Sequence, residues 1–291
     1  MIFSISHRTA YRYGSPVTQS QHVVHLAPRN LPRQTVNRHS LLIEPAPASR
    51  FDRTDYFGNQ ASVLIIEDEH TELVVHSRSV VTIEASPPAD LAGSPAWSDV
   101  AVAAIQGDGL RDLSVLQFAC RSRHTTVTPD VLAFARPSFP QGRPVLEAAM
   151  DLTRRIKTGF NFDPTATDIS TPISQVLSAR RGVCQDFAHL SLACLRAVGL
   201  PARYVSGYIL TRPPPGKPKL QGTDASHAWF SVWVPQIGWV DFDPTNGSMP
   251  SGEHITVAYG RDYDDVSPIS GVLLGGSSQS MSVAVDVVEQ K

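Results

Sequence analysis

The sequence predicts an α+β protein, in which an N-terminal antiparallel β domain precedes a unit made of a helix packed on an antiparallel sheet. Three observations indicate this class. Segments rich in aliphatic and β-branched residues fill residues 1–88, helical periodicity begins near residue 143, and two strand-like segments follow before residue 250. Residues 89–142 are predicted to be a linker with short helices, and residues 251–291 an extension that completes a sheet.

The first 88 residues are predicted to form antiparallel strands. The segments Ser40–Ile43, Val63–Ile66 and Val74–Ile83 have the composition of strands and are separated by Pro, Asn and Gly. Phe57-Gly58-Asn59 is predicted to be a turn, because Gly and Asn adopt positive φ at low cost. Met1–Ser6 alternates like a strand and lacks a basic segment followed by a long apolar run, so we do not expect a signal peptide.

Two helices are predicted at the start of the second unit. Pro144 is a favoured first helical residue, and an apolar stripe follows it at Val145, Ala149, Leu152 and Ile156. Thr171-Pro172 has the cap-plus-proline pattern of a second, shorter helix.

A third helix is predicted to begin at Cys184. Apolar or small residues recur at helical spacing after it, and Gly182 and Gly199 flank the segment; the stripe comprises residues 187, 190, 191, 194, 195 and 198. A thiol in the first turn lies beside unpaired N–H groups that stabilise a thiolate. The backbone N–H of Cys184 is also expected to serve as an oxyanion donor. Cys120 and Cys194 are expected to be structural.

Two strands and a hairpin are predicted over residues 226–243. His227, Trp229, Ser231 and Trp233 share one face of the first strand, and the other face is aliphatic. On the second strand, Asp241 and Asp243 both have the parity to reach His227, and parity does not choose between them. We expect the Cys184 helix to pack on the face that carries His227, which would align a nucleophile, a base and an orienting carboxylate.

The composition is that of an ordinary globular protein. Hydrophobic residues make up 42% of the chain, charged residues make up 18%, and 25 basic against 27 acidic residues give a net charge of -2. Nucleic acid is therefore not an expected partner, and no apolar stretch predicts a membrane span. Three cysteines do not make a disulfide framework, so we expect a reducing, cytoplasmic setting.

Four separated blocks of the chain resemble the bacterial transglutaminase-like proteins; they are Gly182–His189, Gly199–Tyr208, Ser226–Trp229 and Asp243–Gly247, in that order. Asp55–Asn59 and Gly260–Tyr263 resemble the extensions of the same family. The resemblance implies a papain-like core and a triad of Cys184, His227 and Asp243, which favours Asp243 over Asp241. The chain shows no acidic loop with calcium-ligand spacing, so neither a metal nor another cofactor is expected.

The expected activity is acyl transfer on peptide or carboxamide bonds through a thioester acyl-enzyme, with a peptide or protein as substrate. Hydrolysis by a peptidase or amidase is favoured because water is always present, and protein-glutamine transamidation is the alternative. Trp229 is expected to line the substrate cleft. An alternative of another class is a non-catalytic peptide-binding module on the same scaffold.

Overall fold

The computed structural model of the protein describes residues 1–87, 89–106, 113–211 and 226–290. Its strands in chain order are β1 (Ile2–Val24), β2 (Gln34–Glu44), β3 (Ser49–Thr54), β4 (Gln60–Ile66), β5 (His70–Ile83), β6 (Asn161–Phe162), β7 (Arg181–Gly182), β8 (Ala202–Ile209), β9 (Ser226–Val234), β10 (Gly238–Phe242), β11 (His254–Gly260), β12 (Ile269–Gly275) and β13 (Gln279–Gln290). Its α-helices are α1 (Trp97–Gln106), α2 (Leu113–Leu116), α3 (Pro129–Ala135), α4 (Val145–Gly159), α5 (Ile173–Ala179) and α6 (Cys184–Ala197).

The N-terminal domain is an antiparallel sheet built around β1. The strand order is β2-β5-β1-β4-β3, and β12 and β13 pair with β1 as well. The predicted turn at Gly58 forms with φ at 78°. The C-terminal extension completes both sheets, because β11 joins the second sheet and β12 and β13 return to the first.

The second unit is the predicted combination of helices and an antiparallel sheet. Its sheet has the order β10-β9-β8-β11, and α4, α5 and α6 begin where the sequence places them. Every residue of α6 from Asp186 to Arg196 is buried, so this helix is the centre of the core.

The face of the sheet on which α6 packs is the opposite of the predicted one. Apolar side chains of α6 share a single core cluster with the aliphatic face of β9, at Ala228, Phe230 and Val232, whereas Trp229 belongs to a separate small cluster. The prediction that α6 packs on the face carrying Trp and Asp side chains is therefore wrong. A helix that is buried all round gains most from an aliphatic surface, because buried polar groups cost free energy unless they are hydrogen-bonded.

The N-terminal domain covers the face of the second sheet that carries Trp229, and two of its side-chain amides form hydrogen bonds with β11. Gln34 accepts the N–H of Thr256 at 2.8 Å and donates to its carbonyl oxygen at 2.7 Å. Asn59 makes the same pair of bonds with Tyr259, both at 2.8 Å, and Asp55 holds Asn59 in place. The N-terminal domain therefore fixes the position of β11 at the edge of the second sheet. None of the described helices is long and apolar enough to cross a membrane.

Candidate active site

Cys184 is the first residue of α6, and its neighbours are arranged to start the helix there. The Asp186 carboxylate reaches back to accept the N–H of Val183 at 2.8 Å and the Thr167 hydroxyl at 2.6 Å. A Cβ on Gly182 would lie 2.7 Å from that carboxylate, so a larger residue here would displace the Asp186 side chain. The Cys184 side chain is half-buried at a helix N-terminus, where its own N–H has no acceptor within the helix.

His227 is the second residue of β9 and lies opposite Gly207 of β8. Its Nε2 is 2.7 Å from the Oδ2 atom of Asp243, and the neighbouring side chain of Cys184 raises the pKa of the ring. Since Nε2 is engaged by the carboxylate, Nδ1 is the nitrogen that faces the sulfur. The structure thus brings together the three residues proposed as a triad.

Asp243 follows β10 in a tight turn that saturates its carboxylate. Oδ1 accepts the backbone N–H groups of Thr245 and Asn246 at 2.9 and 3.1 Å. Oδ2 accepts the Asn246 side-chain amide at 2.7 Å in addition to His227. The side chain is completely buried. Its position and chemistry are those of a fixed anion next to an imidazole.

Asp241 occupies a different environment, which resolves the choice that parity left open. Its carboxylate accepts the indole N–H of Trp229 at 3.1 Å and the hydroxyl of Ser231. Trp229 and Ser231 thus occupy the Asp241 carboxylate, and His227 is not among its hydrogen-bond partners in the described part of the chain.

The two ionisable partners of Cys184 are displaced from their usual pKa values in opposite directions. Burial alone would lower the pKa of His227, but hydrogen bonds to Asp243 and Cys184 and the charges of both outweigh it and raise this pKa to about 10. Burial would raise the pKa of Asp243, yet hydrogen bonds from His227 and His254 hold it below its usual range. At neutral pH the ring is therefore an imidazolium, which lies beside the Cys184 side chain and is held by a carboxylate.

Sequence reasoning missed His254, the first residue of β11. Its Nε2 lies 2.9 Å from the Oδ2 atom of Asp243, so two histidines share one carboxylate oxygen. The available signal was a histidine at the start of a β-branched segment, but the alternation of β11 gives no information about which strand lies next to it.

Trp229 and the two cysteines other than Cys184 differ in how far they are exposed. The Trp229 ring is completely buried and packs against His227 and His254 at centroid distances of 5.9 and 5.1 Å. Its surface is therefore not open to solvent, and its contact with substrate stays a prediction. Cys194 is buried, and burial raises the pKa of its thiol to about 12. Cys120 is exposed, which makes it an internal reference for an ordinary thiol.

A cavity of about 1180 Å³ lies between the N-terminal domain and the polar face of the second sheet. Its wall on the sheet side includes Arg203, Trp229, Asp241 and His254. Cys184 does not line it in the described part of the chain, so the cavity lies behind the triad carboxylate rather than at the thiol.

Two clusters place His and Asp side chains close together, and hydrogen bonding accounts for both. His227 and His254 lie 2.7 and 2.9 Å from one carboxylate oxygen, whereas two ligands on a tetrahedral zinc ion would lie roughly 3.3 Å apart. In the second cluster, the oxygens of Asp262 accept the backbone N–H groups of His124 and Asp264. We therefore assign neither cluster to a metal.

Comparison with known proteins shows which family the chain resembles along most of its length. The bacterial transglutaminase-like N-terminal region matches residues 3–82, and the transglutaminase-like superfamily matches residues 133–244. An uncharacterised protein of Mycobacterium tuberculosis is 42% identical over 294 residues, spanning 98% of this chain and 92% of that protein. The chain belongs to the transglutaminase-like superfamily.

Two further relatives extend the comparison of this transglutaminase-like protein. A protein-glutamine gamma-glutamyltransferase of Pseudomonas aeruginosa is 34% identical over 99 residues, covering 31% of this chain and 15% of that protein. The crystal structure of a proposed cysteine protease from Cytophaga hutchinsonii is 22% identical and superimposes with a TM-score of 0.72, covering 100% of this chain and 92% of that chain. The second match shows a shared fold.

Proposed function

We propose that this transglutaminase-like protein is a cysteine-nucleophile acyl-transfer enzyme acting on peptide or carboxamide bonds. The observation that carries the proposal is the unbroken line of contacts from Cys184 through His227 to Asp243. Each member has the position that its role requires, since the thiol is half-buried at a helix start, the base is buried beside it, and the carboxylate is fixed by its own turn.

The proposed reaction begins when the Cys184 thiolate attacks the substrate carbonyl carbon. The carbonyl π electrons move to oxygen, and the N–H of Cys184 donates to the resulting oxyanion. As the C–N bond breaks, His227 gives its Nδ1 proton to the departing amine, and a thioester remains. His227, now neutral, removes a proton from the next nucleophile, which attacks the thioester and releases the thiolate. Asp243 keeps the ring in the Nε2–H tautomer throughout.

Water and an amine compete as that second nucleophile. Hydrolysis is the proposed outcome, because water is always present. Transamidation is the second candidate, and the gamma-glutamyltransferase of Pseudomonas aeruginosa is the relative that favours it.

The test is mass spectrometry of the protein and its Cys184→Ala variant after incubation with a mixed peptide library and free amines. Cleaved, deamidated and amine-linked peptides differ in mass, so the products identify the reaction class. Products that form with the wild type and are absent with Cys184→Ala are expected. Identical product lists for the two proteins would refute the proposal.

Selective alkylation separates this proposal from a non-catalytic peptide-binding module. An ion-paired Cys184 is expected to react with iodoacetamide at pH 6 much faster than the exposed Cys120, because only the thiolate is nucleophilic. Equal and slow labelling of both cysteines would favour the binding module.

A further inference from the structure

His254 contacts the triad without belonging to it. Its Nε2 donates to the same oxygen of Asp243 that accepts His227, at 2.9 and 2.7 Å respectively. Only about 9% of the His254 side chain is exposed, and its ring packs edge-on against Trp229 at 5.1 Å. The strand that carries it is clamped by the N-terminal domain through Gln34. The ring is therefore held by Asp243 and Trp229, and its strand is held by the N-terminal domain.

The two histidines compete for one carboxylate, and the structure indicates which of them takes the positive charge. His254 Nδ1 is buried and has no hydrogen-bond partner in the described part of the chain. A proton there would create a buried N–H without an acceptor, which is costly. His227 has no such penalty, because its Nδ1 faces the sulfur of Cys184. His227 is therefore the imidazolium, and His254 donates to Asp243 through Nε2.

We propose that His254 is a positioning residue, which fixes the Asp243 carboxylate through its Nε2–H and, by sharing that carboxylate with His227, sets the pH at which His227 loses its proton. This inference rests on the proposed function of the triad. Among the described residues, the titratable groups that face the histidine pair are Cys184 from α6, Asp243 from the turn after β10, and Asp241 behind the Trp229 ring.

The N–H of His254 donates to Asp243 and withdraws part of the negative charge that would otherwise stabilise His227 alone. Removing the donor is expected to strengthen the pairing of His227 with Asp243, so His227 would lose its proton at higher pH. Loss of the second donor strengthens the His227–Asp243 hydrogen bond by only part of its free energy. We therefore expect the pH at which His227 loses its proton to rise by about half a unit.

The experiment measures the rate of Cys184 alkylation by iodoacetamide from pH 4 to 11, resolved by peptide mass spectrometry with Cys120 as reference. His254→Phe keeps a ring against Trp229 and removes the donor, and His254→Gln keeps a neutral N–H near the Nε2 position. The upper transition, which reports loss of the His227 proton, is expected to move upward in His254→Phe and to return to the wild-type pH in His254→Gln. A profile unchanged by His254→Phe, or one that both variants change equally, would overturn the proposal.

A second measurement needs no variant. Side-chain ¹⁵N NMR of the wild-type protein reads which nitrogen of each histidine carries a proton, and the proton of His254 is expected on Nε2, the atom that faces Asp243. A His254 whose proton lies on Nδ1 instead would overturn the role assigned to it. By contrast, a wild-type Cys184 that reacts no faster than Cys120 would refute the proposed function itself, so the two failures are distinguishable.

Discussion

Asp243→Asn is the perturbation that tests the candidate site most directly. The variant keeps the size of the side chain, and one amide oxygen can continue to accept the N–H groups of Thr245 and Asn246. The amide NH₂ then replaces Oδ2 and faces the Nε2 atoms of His227 and His254. Two N–H donors cannot face each other, so His227 must place its proton on Nδ1, towards the sulfur, where it no longer accepts a proton.

The magnitude follows from the pKa of His227. In the wild type this pKa is raised to about 10, so the ring is almost fully protonated at pH 7.5. Without the carboxylate, the hydrogen bond and the charge of Asp243 no longer raise the pKa of His227 while burial still lowers it, so a much smaller fraction of the ring is charged. Cys184 then behaves as an ordinary thiol, and its alkylation rate at pH 6 falls by about two orders of magnitude. Turnover of any peptide substrate is expected to fall by roughly 10³–10⁴-fold, as when an Asp–His pair loses its tautomer.

The assay compares alkylation of Cys184 and Cys120 in the wild type and in Asp243→Asn, with far-UV circular dichroism to establish that both are folded. The Cys120 rate is expected to be the same in both proteins, because that side chain is exposed and lies outside the site. A folded Asp243→Asn protein whose Cys184 keeps the wild-type rate at pH 6 would refute the reasoning, since the carboxylate would then have no influence on the thiolate.

Three further predictions concern stability. Gly207→Ala would place a Cβ 2.1 Å from a strand carbonyl oxygen and 2.6 Å from a buried indole, so the melting temperature of this variant is expected to fall by more than about 5 °C. In the control variant Gly159→Ala the new Cβ meets no atom within 4 Å, and the melting temperature of the protein is expected to stay unchanged. Arg196→Leu removes a buried guanidinium that donates to three backbone carbonyls, and a loss of about 3–5 kcal/mol is expected in urea unfolding. Thermal melts are expected to show a loss of stability at both low and high pH. The pKa of Asp243 is lowered on folding, so its contribution to stability is lost as pH falls below about 4. The pKa of His227 is raised on folding, so its contribution is lost as pH rises from 6.5 through about 10. A flat melting temperature from pH 3 to 10 would contradict the last prediction.

The N-terminal domain contributes to the site through β11. Asn59 and Gln34 each pair with both the N–H and the carbonyl of one β11 residue. Because His254 is the first residue of that strand, the domain fixes the histidine that donates to Asp243. The turn at Asp55–Asn59 and the candidate site are thus parts of one hydrogen-bonded arrangement.

The sequence by itself determined the local elements and the residue types of the site. The start of α6 at Cys184, the hairpin of β9 and β10 and the turn at Gly58 follow from spacing, caps and glycine, which act over a few residues. The resemblance of four blocks then indicated Cys184, His227 and Asp243 as partners. Patterns of this kind depend on neighbours along the chain, so they survive without knowledge of the fold.

Only the tertiary structure decided which surfaces meet. Parity divides β9 into two faces but gives no information about which face α6 covers, because that choice depends on the apolar area gained by the whole helix. His254 could not be assigned either, since it reaches Asp243 from a strand on the far edge of the sheet that a separate domain holds in place. Contacts between distant segments are set by packing energies summed over many residues, and a local pattern contains none of them.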